Sequence, residues 1–203
     1  MKKIILLTIV MSAFSFSQLA NLNGIKICID PGHGGNNPAN DRYVVPDPGS
    51  DFWESESNFQ KALLLRPLLK ARGATVYLTR ETNTYPTDVD PTLTERWQYA
   101  NANNVHWFHS IHSNATGGTN TATNYTMVLL KESQTTRQPV FPAAVDMSSL
   151  IYTNIRAKNR TTASSGNIAG KPGVYMDYTF YGGTSGGFNL GVLRGLTMPG
   201  ELS

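Results

Sequence analysis

The chain has 203 residues, of which 40% are hydrophobic and 15% charged, values that are typical of one globular domain and argue against a disordered chain. Its formal charge of +3 includes Lys2 and Lys3, which lie in a segment that we expect to be removed, so the mature chain is close to neutral. The remaining basic residues form no run, and composition therefore gives no electrostatic basis for nucleic-acid binding.

The first residues have the pattern of an export signal. Two lysines precede an apolar stretch, residues 4–16, that is too short to span a bilayer, and small and polar residues follow it. We therefore predict a signal peptide over residues 1–19 and a mature domain over residues 25–203, secreted or periplasmic and without a membrane span. Cys28 is the single cysteine and lies in an apolar run, which predicts a buried thiol and no internal disulfide.

Strand-like and helix-like segments alternate along the rest of the chain, which predicts an α/β fold. A β-branched run over residues 25–30 predicts a first strand, and a helical pattern follows from Glu54 to Gly73, interrupted by Pro67. The further predicted elements, in chain order, are a strand over 74–79, a helix from the capping-box sequence Thr92–Glu95 to about 103, strands over 105–112 and 125–130, a helix over 142–157, a strand over 174–180, and two short strands near 190–193 and 196–202. We predict a single domain with a mostly parallel, twisted central sheet flanked by helices on both faces.

Three residues with metal-binding side chains fall at one edge of that predicted sheet. His33 follows the first strand within the sequence DPGHGG, His112 ends the third strand, and Glu54 opens the first helix. The carboxyl ends of parallel strands and the N-termini of the helices after them share one edge, so the three side chains should converge. Two imidazoles and one carboxylate form a catalytic zinc set with an open fourth position, whereas closed structural sites need cysteines that this chain lacks. Each residue alone has an ordinary structural explanation, and it is the set that predicts a metal.

The other candidate residues near these ligands are expected to be structural. His109 lies three residues before His112 on the same strand, which predicts that it points to the opposite face, and His106 lies near the strand start. Asp30 and Asn114 flank the ligands and could orient them, although Asp30 could equally hold the turn that follows it.

These residues occur within motifs that resemble the zinc-dependent N-acetylmuramoyl-L-alanine amidases, a family that cuts stem peptides off bacterial peptidoglycan. The motifs are Ile29–Gly35, Glu54 with Asn58 and the later Ala71–Gly73, Leu78–Arg80, Leu93–Arg96 with Ala100 and Asn101, Ser110–Ala115 and, with a thinner match, Leu190–Arg194 and Met198–Pro199. The resemblance implies zinc bound by His33, Glu54 and His112, with peptidoglycan as the substrate. Glu56 competes for the role of the carboxylate ligand, but Glu54 fits the family spacing better.

The sequence departs from the family pattern in its last strand. The family carries a second glutamate there as general base, five residues after a proline, and counting from Pro199 places it one position beyond Ser203. Glu201 lies three residues before that expected position and would therefore face the other side of a strand. We leave the catalytic base unassigned. We expect the domain over 25–203 to be truncated at its last strand, and loss of a general base costs on the order of 10²–10⁴ in rate. The alternative function is a non-catalytic, amidase-like domain that binds peptidoglycan without cutting it.

The segment over residues 131–187 is longer than in the short members of the family. Its later part carries Tyr175, Tyr178, Phe180 and Tyr181, which could border the substrate groove and stack on sugars, or equally pack in the core. A phosphate-binding loop is disfavoured, because the glycines after the first strand form no G-x-G-x-x-G or P-loop pattern. The sequence leaves the stem-peptide specificity and an activating partner open, and nothing in it requires more than a monomer.

Overall fold

The computed structural model describes residues 21–35, 41, 52–84, 90–113, 123–182 and 187–203; the predicted signal peptide and Asn114 lie outside those ranges. The elements, in chain order, are β1 (Lys26–Pro31), α1 (Glu54–Lys70), β2 (Thr75–Leu78), α2 (Leu93–Ala102), β3 (Trp107–Ile111), β4 (Val128–Leu130), α3 (Ala144–Asn159), β5 (Asn167–Ile168), β6 (Lys171–Pro172), β7 (Val174–Met176), α4 (Asp177–Phe180), α5 (Gly191–Arg194) and β8 (Gly200–Leu202). None of the helices in these ranges combines the length and the apolar character that crossing a bilayer requires.

Six strands form one sheet in the order β2-β1-β3-β8-β4-β7. β1 pairs in parallel with β2 and β3, and β8 pairs in parallel with β3. β4 pairs antiparallel with β8, and β7 is parallel to β4. The predicted mostly parallel sheet is confirmed, but β4 and β7 run against the other four strands, so their carboxyl ends lie at the opposite edge.

Helices cover both faces of the sheet, as predicted. α2 and α5 enclose one core around Cys28 and Phe108, and α1 encloses the other around Ile29 and Ile111, while α3 packs on β4 and β7. Cys28 and Ile29 enter different cores because neighbouring residues of a strand point to opposite faces. Burial, with a smaller contribution from the charge of Asp30, raises the pKa of the Cys28 thiol, which keeps it protonated and unreactive, as the sequence predicted.

The predicted beginnings of α1 and α2 are confirmed. α1 begins at Glu54 and continues through Pro67 to Lys70. At the start of α2 the Thr92 side chain accepts a hydrogen bond from the Glu95 amide, and the Glu95 carboxylate accepts one from the Thr92 amide, which completes the predicted capping box.

Two of the predicted strands near the end of the chain are wrong in part. β7 stops at Met176, and the rest of the predicted strand over 174–180 is the short helix α4. The predicted strand near 190–193 is helix α5, in which the Leu193 amide donates to the Leu190 carbonyl at 2.9 Å. Short apolar runs of this length fit a strand and a buried helical turn equally well, which explains both errors.

Candidate metal centre

The three predicted ligand residues meet at the carboxyl edge of β1 and β3. His33 Nε2 lies 3.4 Å and His112 Nδ1 3.3 Å from Glu54 Oε1, and the centroids of the two imidazole rings are 4.9 Å apart. One candidate donor atom from each residue lies within 4.8 Å of the others. Ligand bonds of about 2.0–2.2 Å in a tetrahedral site place donor atoms roughly 3.3–3.6 Å apart, so this spacing suits a single zinc-sized ion.

Glu54 is fully buried between the two imidazoles. Burial alone would raise the pKa of its carboxyl group, but hydrogen bonds and charge from His112 and His33 outweigh it and hold the pKa well below its usual range. The Ser113 amide also donates to Glu54 Oε1 at 2.7 Å, which fixes the orientation of the carboxylate. A metal ligand has to be deprotonated, and Glu54 meets that condition at neutral pH.

The loop after β1 has a backbone that brings His33 close to His112. His33 has φ of +58°, in the left-handed region that side chains other than glycine rarely adopt. A Cβ atom on the preceding Gly32 would lie 2.3 Å from the His112 ring, so only glycine lets the imidazole pack against the loop. The DPGHGG sequence therefore positions both histidines. His33 is positioned by its strained backbone, and His112 has room because Gly32 has no side chain.

Two buried arginines hold that loop in place. Arg96 donates to the carbonyl of His33 at 3.0 Å and to that of Pro31 at 3.1 Å. Arg80 donates to the Pro31 carbonyl at 2.9 Å and to the Ser55 carbonyl at 2.8 Å, which ties the end of β1 to the start of α1. Burial, with the nearby charge of Arg96, lowers the pKa of Arg80 to about 10, which leaves it charged at neutral pH.

Asp30 positions Arg96 without contacting the candidate ligands itself. It is fully buried and accepts hydrogen bonds from Arg96 at 2.6 Å, from Thr79 at 2.5 Å and from Ser110 at 2.7 Å. Burial would raise the pKa of the Asp30 carboxyl group, but the Arg96 charge and these three hydrogen bonds lower it. Of the two roles that the sequence left open for Asp30, the contacts favour support of the loop, exerted through Arg96.

Two residues weighed from the sequence lie outside the cluster. Glu56, the competing carboxylate, accepts hydrogen bonds from Asn83 at 2.6 Å and from Gln60 at 2.7 Å. The Nδ1 atom of His106, near the start of β3, accepts a hydrogen bond of 2.9 Å from the Lys26 amide. The structure thus brings Glu54, and not Glu56, to the two histidines.

His109 pairs with Glu201, a contact that sequence reasoning missed. The two residues are register partners in β3 and β8, and His109 Nδ1 contacts the fully buried Glu201 carboxylate. Burial alone would lower the pKa of His109, but the charge and hydrogen bond of Glu201, with a contribution from Asp30, raise it above the ordinary value. The sequence predicted that His109 and His112 face opposite sides, yet both border one cavity, because β3 ends at Ile111 and the strand alternation stops there.

The aromatic residues of the later segment lie away from the three ligand residues. β7 runs against β1 and β3, so Tyr178 and Tyr181, which follow it, are at the other edge of the sheet. Arg137 stacks on the Tyr178 ring at 4.4 Å, and Tyr181 stacks on Phe188 at 4.7 Å. The reversal of β4 and β7 therefore places Tyr178 and Tyr181 away from the metal centre, and the hypothesis that these aromatics border the substrate groove stays a prediction.

Residues 27–201 match the family model described as N-acetylmuramoyl-L-alanine amidase. The chain belongs to that family. The resemblance carried by the sequence motifs is thereby confirmed, and the match covers β1 to β8 almost completely.

One curated relative and two solved structures illustrate what this chain is similar to. A sporulation-specific N-acetylmuramoyl-L-alanine amidase of Bacillus subtilis (strain 168) is 35% identical over 97 residues, which are 47% of this chain and 33% of that protein, so the match spans about a third of the relative's length. The catalytic domain of CwlV from Bacillus (Paenibacillus) polymyxa var. colistinus has a TM-score of 0.61 at 22% identity, over 88% of this chain and 78% of that one. Ami1 from Mycobacterium smegmatis has a TM-score of 0.64 at 20% identity, over 90% and 82% of the two chains. These structures share the fold of the domain described above.

We predict that Asp30→Asn destabilises the protein at pH 7 by about 3 kcal/mol, because it removes the fully buried carboxylate from one of the two ion pairs that Arg96 forms, the other being with Asp90. The folded-state pKa of Asp30 is lowered, so its contribution is complete above the unfolded pKa of about 3.9 and is lost as the pH falls through the folded value. Urea unfolding followed by circular dichroism from pH 7 to pH 3 should show the gap between wild type and variant narrowing below about pH 4.

The control for this prediction is Asp146→Asn, which removes the carboxylate of an exposed pair with Lys171 and should change stability little. A gap between wild type and Asp30→Asn that stays constant over the whole pH range would contradict the electrostatic account of Asp30.

Proposed function

We propose that this protein is a secreted, zinc-dependent N-acetylmuramoyl-L-alanine amidase that hydrolyses the amide bond between N-acetylmuramic acid and L-alanine in peptidoglycan. The observation that carries the proposal is the cluster of the buried Glu54 with the partly exposed His33 and His112 in a chain of the amidase family. Two histidines and a carboxylate are the protein ligands of a catalytic zinc site, which keeps one position open for the reaction. Export is supported by the signal-like pattern over residues 1–19 and by the location of peptidoglycan outside the cytoplasm.

The residues present fit a zinc ion in charge and in spacing. A zinc ion held by them supplies Lewis-acid polarisation of the scissile carbonyl and makes water a competent nucleophile at neutral pH. The Glu54 carboxylate would balance part of the positive charge of the ion, and the Ser113 amide fixes the orientation of that carboxylate. Arg80 and Arg96 hold the loop that carries His33, which orients this ligand residue toward the site.

The general base is proposed to follow Ser203, where the family resemblance places a glutamate. The direction of β8 supports this, because the strand runs parallel to β3 and the His112 amide donates to the Ser203 carbonyl at 2.7 Å. The carboxyl end of β8 therefore lies at the same edge of the sheet as the three ligand residues. Glu201 is unsuited to the role, since its carboxylate is buried against His109.

We predict that Glu54→Gln weakens zinc binding by more than about 100-fold, because loss of a direct ligand should exceed the 10–100-fold cost of losing a residue that only supports one. Zinc titration by isothermal calorimetry measures this directly and does not depend on enzyme activity. Glu56→Gln is the matched control, as it removes a carboxylate two residues away on the same helix and should leave the affinity near wild type. If Glu56→Gln proves to be the variant that loses zinc, the proposed ligand set is wrong.

Activity is tested with the full reading frame, produced without residues 1–19 and supplied with zinc. After incubation with purified peptidoglycan, mass spectrometry should detect free stem peptides that begin with L-alanine, and these should disappear with chelator or with His112→Ala. Release of glycan fragments or of cut stem peptides instead would contradict the amidase assignment. A protein that binds zinc and cell wall but releases nothing would establish the non-catalytic alternative.

A further inference from the structure

A cavity of about 400 Å³ opens between α1 and α3, next to the candidate metal centre. We call it the α1–α3 groove; its walls include Lys61, Leu65, His109, Ile111, Ile155 and Lys158. His112 also borders it, so the groove is continuous with the proposed zinc site. A substrate held at the metal would therefore have part of its length in this groove.

Lys61 brings a positive charge to the α1 side of the groove. Residues 54, 58 and 61 are spaced by four and three, which places Lys61 on the same face of α1 as Glu54 and Asn58. Lys61 Nζ lies 3.5 Å from Asn58 Oδ1, at the outer limit of a hydrogen bond, so the ammonium is held only loosely. Burial lowers the pKa of Lys61, and the charge of Glu54 offsets part of that effect.

Lys158 brings a second positive charge from the opposite wall. It lies in the last turn of α3, three residues after Ile155, so the lysine and the isoleucine share the groove side of the helix. Within the described ranges neither Lys61 nor Lys158 forms an ion pair. Two cations thus face one space without a committed anion.

None of the described residues that line the groove has an acidic side chain, and Asn154, Asn159 and Ser203 add neutral polar groups. The carboxylate beneath the floor belongs to Glu201, which is fully buried and committed to His109. Leu65, Ile111 and Ile155 supply apolar surface between the two lysines. A groove with apolar walls and cationic sides is complementary to a short peptide that carries aliphatic groups and a carboxylate.

We propose that the α1–α3 groove binds the stem peptide and that Lys61 and Lys158 select a free carboxylate on it. This inference rests on the proposed amidase function and adds the chemical class of substrate that the site prefers, a stem peptide with a free carboxylate. In a stem peptide the residue that follows L-alanine carries a carboxyl group, which is either free or amidated. The lysines should favour the free acid, because a carboxamide offers them no charge.

The test compares two soluble muropeptides that differ only in this group, one with the carboxylate and one with the carboxamide. Their dissociation constants are measured by calorimetry on the full protein without added zinc, so that hydrolysis does not interfere. Wild type should bind the acid more tightly than the amide. Lys61→Met and Lys158→Met, which keep the aliphatic length, should each reduce that preference by about two- to fivefold, the range expected for one solvent-accessible ion pair.

Two controls separate charge at the groove from general effects. Lys70→Met removes a lysine from the end of the same helix, outside the residues that line the groove, and should keep the wild-type preference. Lys61→Arg and Lys158→Arg should retain it, because the charge is kept. Raising the salt concentration should weaken binding of the acid more than binding of the amide.

The groove proposal is overturned if wild type binds both peptides equally, or if the two methionine variants fold normally and keep the full preference. Hydrolysis of the same peptides by the zinc-loaded protein is measured separately. Hydrolysis without an acid preference would leave the amidase function standing and remove the groove proposal. An acid preference in binding, with no release of peptide, would remove the amidase function and leave the groove as a binding site.

Discussion

The buried ion pair between Asp30 and Arg96 is the contact on which the arrangement of the metal centre depends. Asp30 lies one residue before the end of β1 and joins that strand to Thr79 after β2 and to Ser110 in β3. Arg96 comes from α2 and extends from Asp30 to the carbonyl of His33. One carboxylate and one guanidinium therefore connect three neighbouring strands, a helix and a ligand loop. Burying two charges is costly, and here each is surrounded by hydrogen bonds that offset the desolvation.

The consequence of that support is a ligand set whose backbone is held by contacts within the protein. His33 occupies a left-handed backbone conformation, which persists because both buried arginines hold the loop around it. Arg80 also reaches the start of α1, so the residue next to Glu54 is held by the same side chain as the loop. Ligands drawn from a loop, a helix start and a strand end thus lie at the spacing that one ion needs.

The sequence alone was sufficient to predict the features of the structure that follow from a single structural rule. Strand ends and helix starts meet at one edge of a parallel sheet, which was enough to bring His33, Glu54 and His112 together, and the Thr92 capping box follows from local spacing alone. The pair of His109 and Glu201 could not be found in this way, since it depends on the register between two strands 92 residues apart.

Strand direction was the other property that the sequence did not contain. Nothing in residues 125–130 or 174–180 distinguishes a strand that runs with β1 from one that runs against it. The reversal of β4 and β7 places Tyr178 and Tyr181 at the edge of the sheet away from the metal centre. Short helices such as α5 were missed because four residues are too few to show a period.

Anomalous diffraction at the zinc edge, from crystals grown with zinc, shows directly which residues hold the ion. The account predicts one strong peak about 2.0–2.2 Å from a donor atom each of His33, Glu54 and His112, with Arg80 and Arg96 unmoved around the loop. A peak bound by Glu56 or His109 instead, or no peak at this edge of the sheet in the presence of excess zinc, would contradict it.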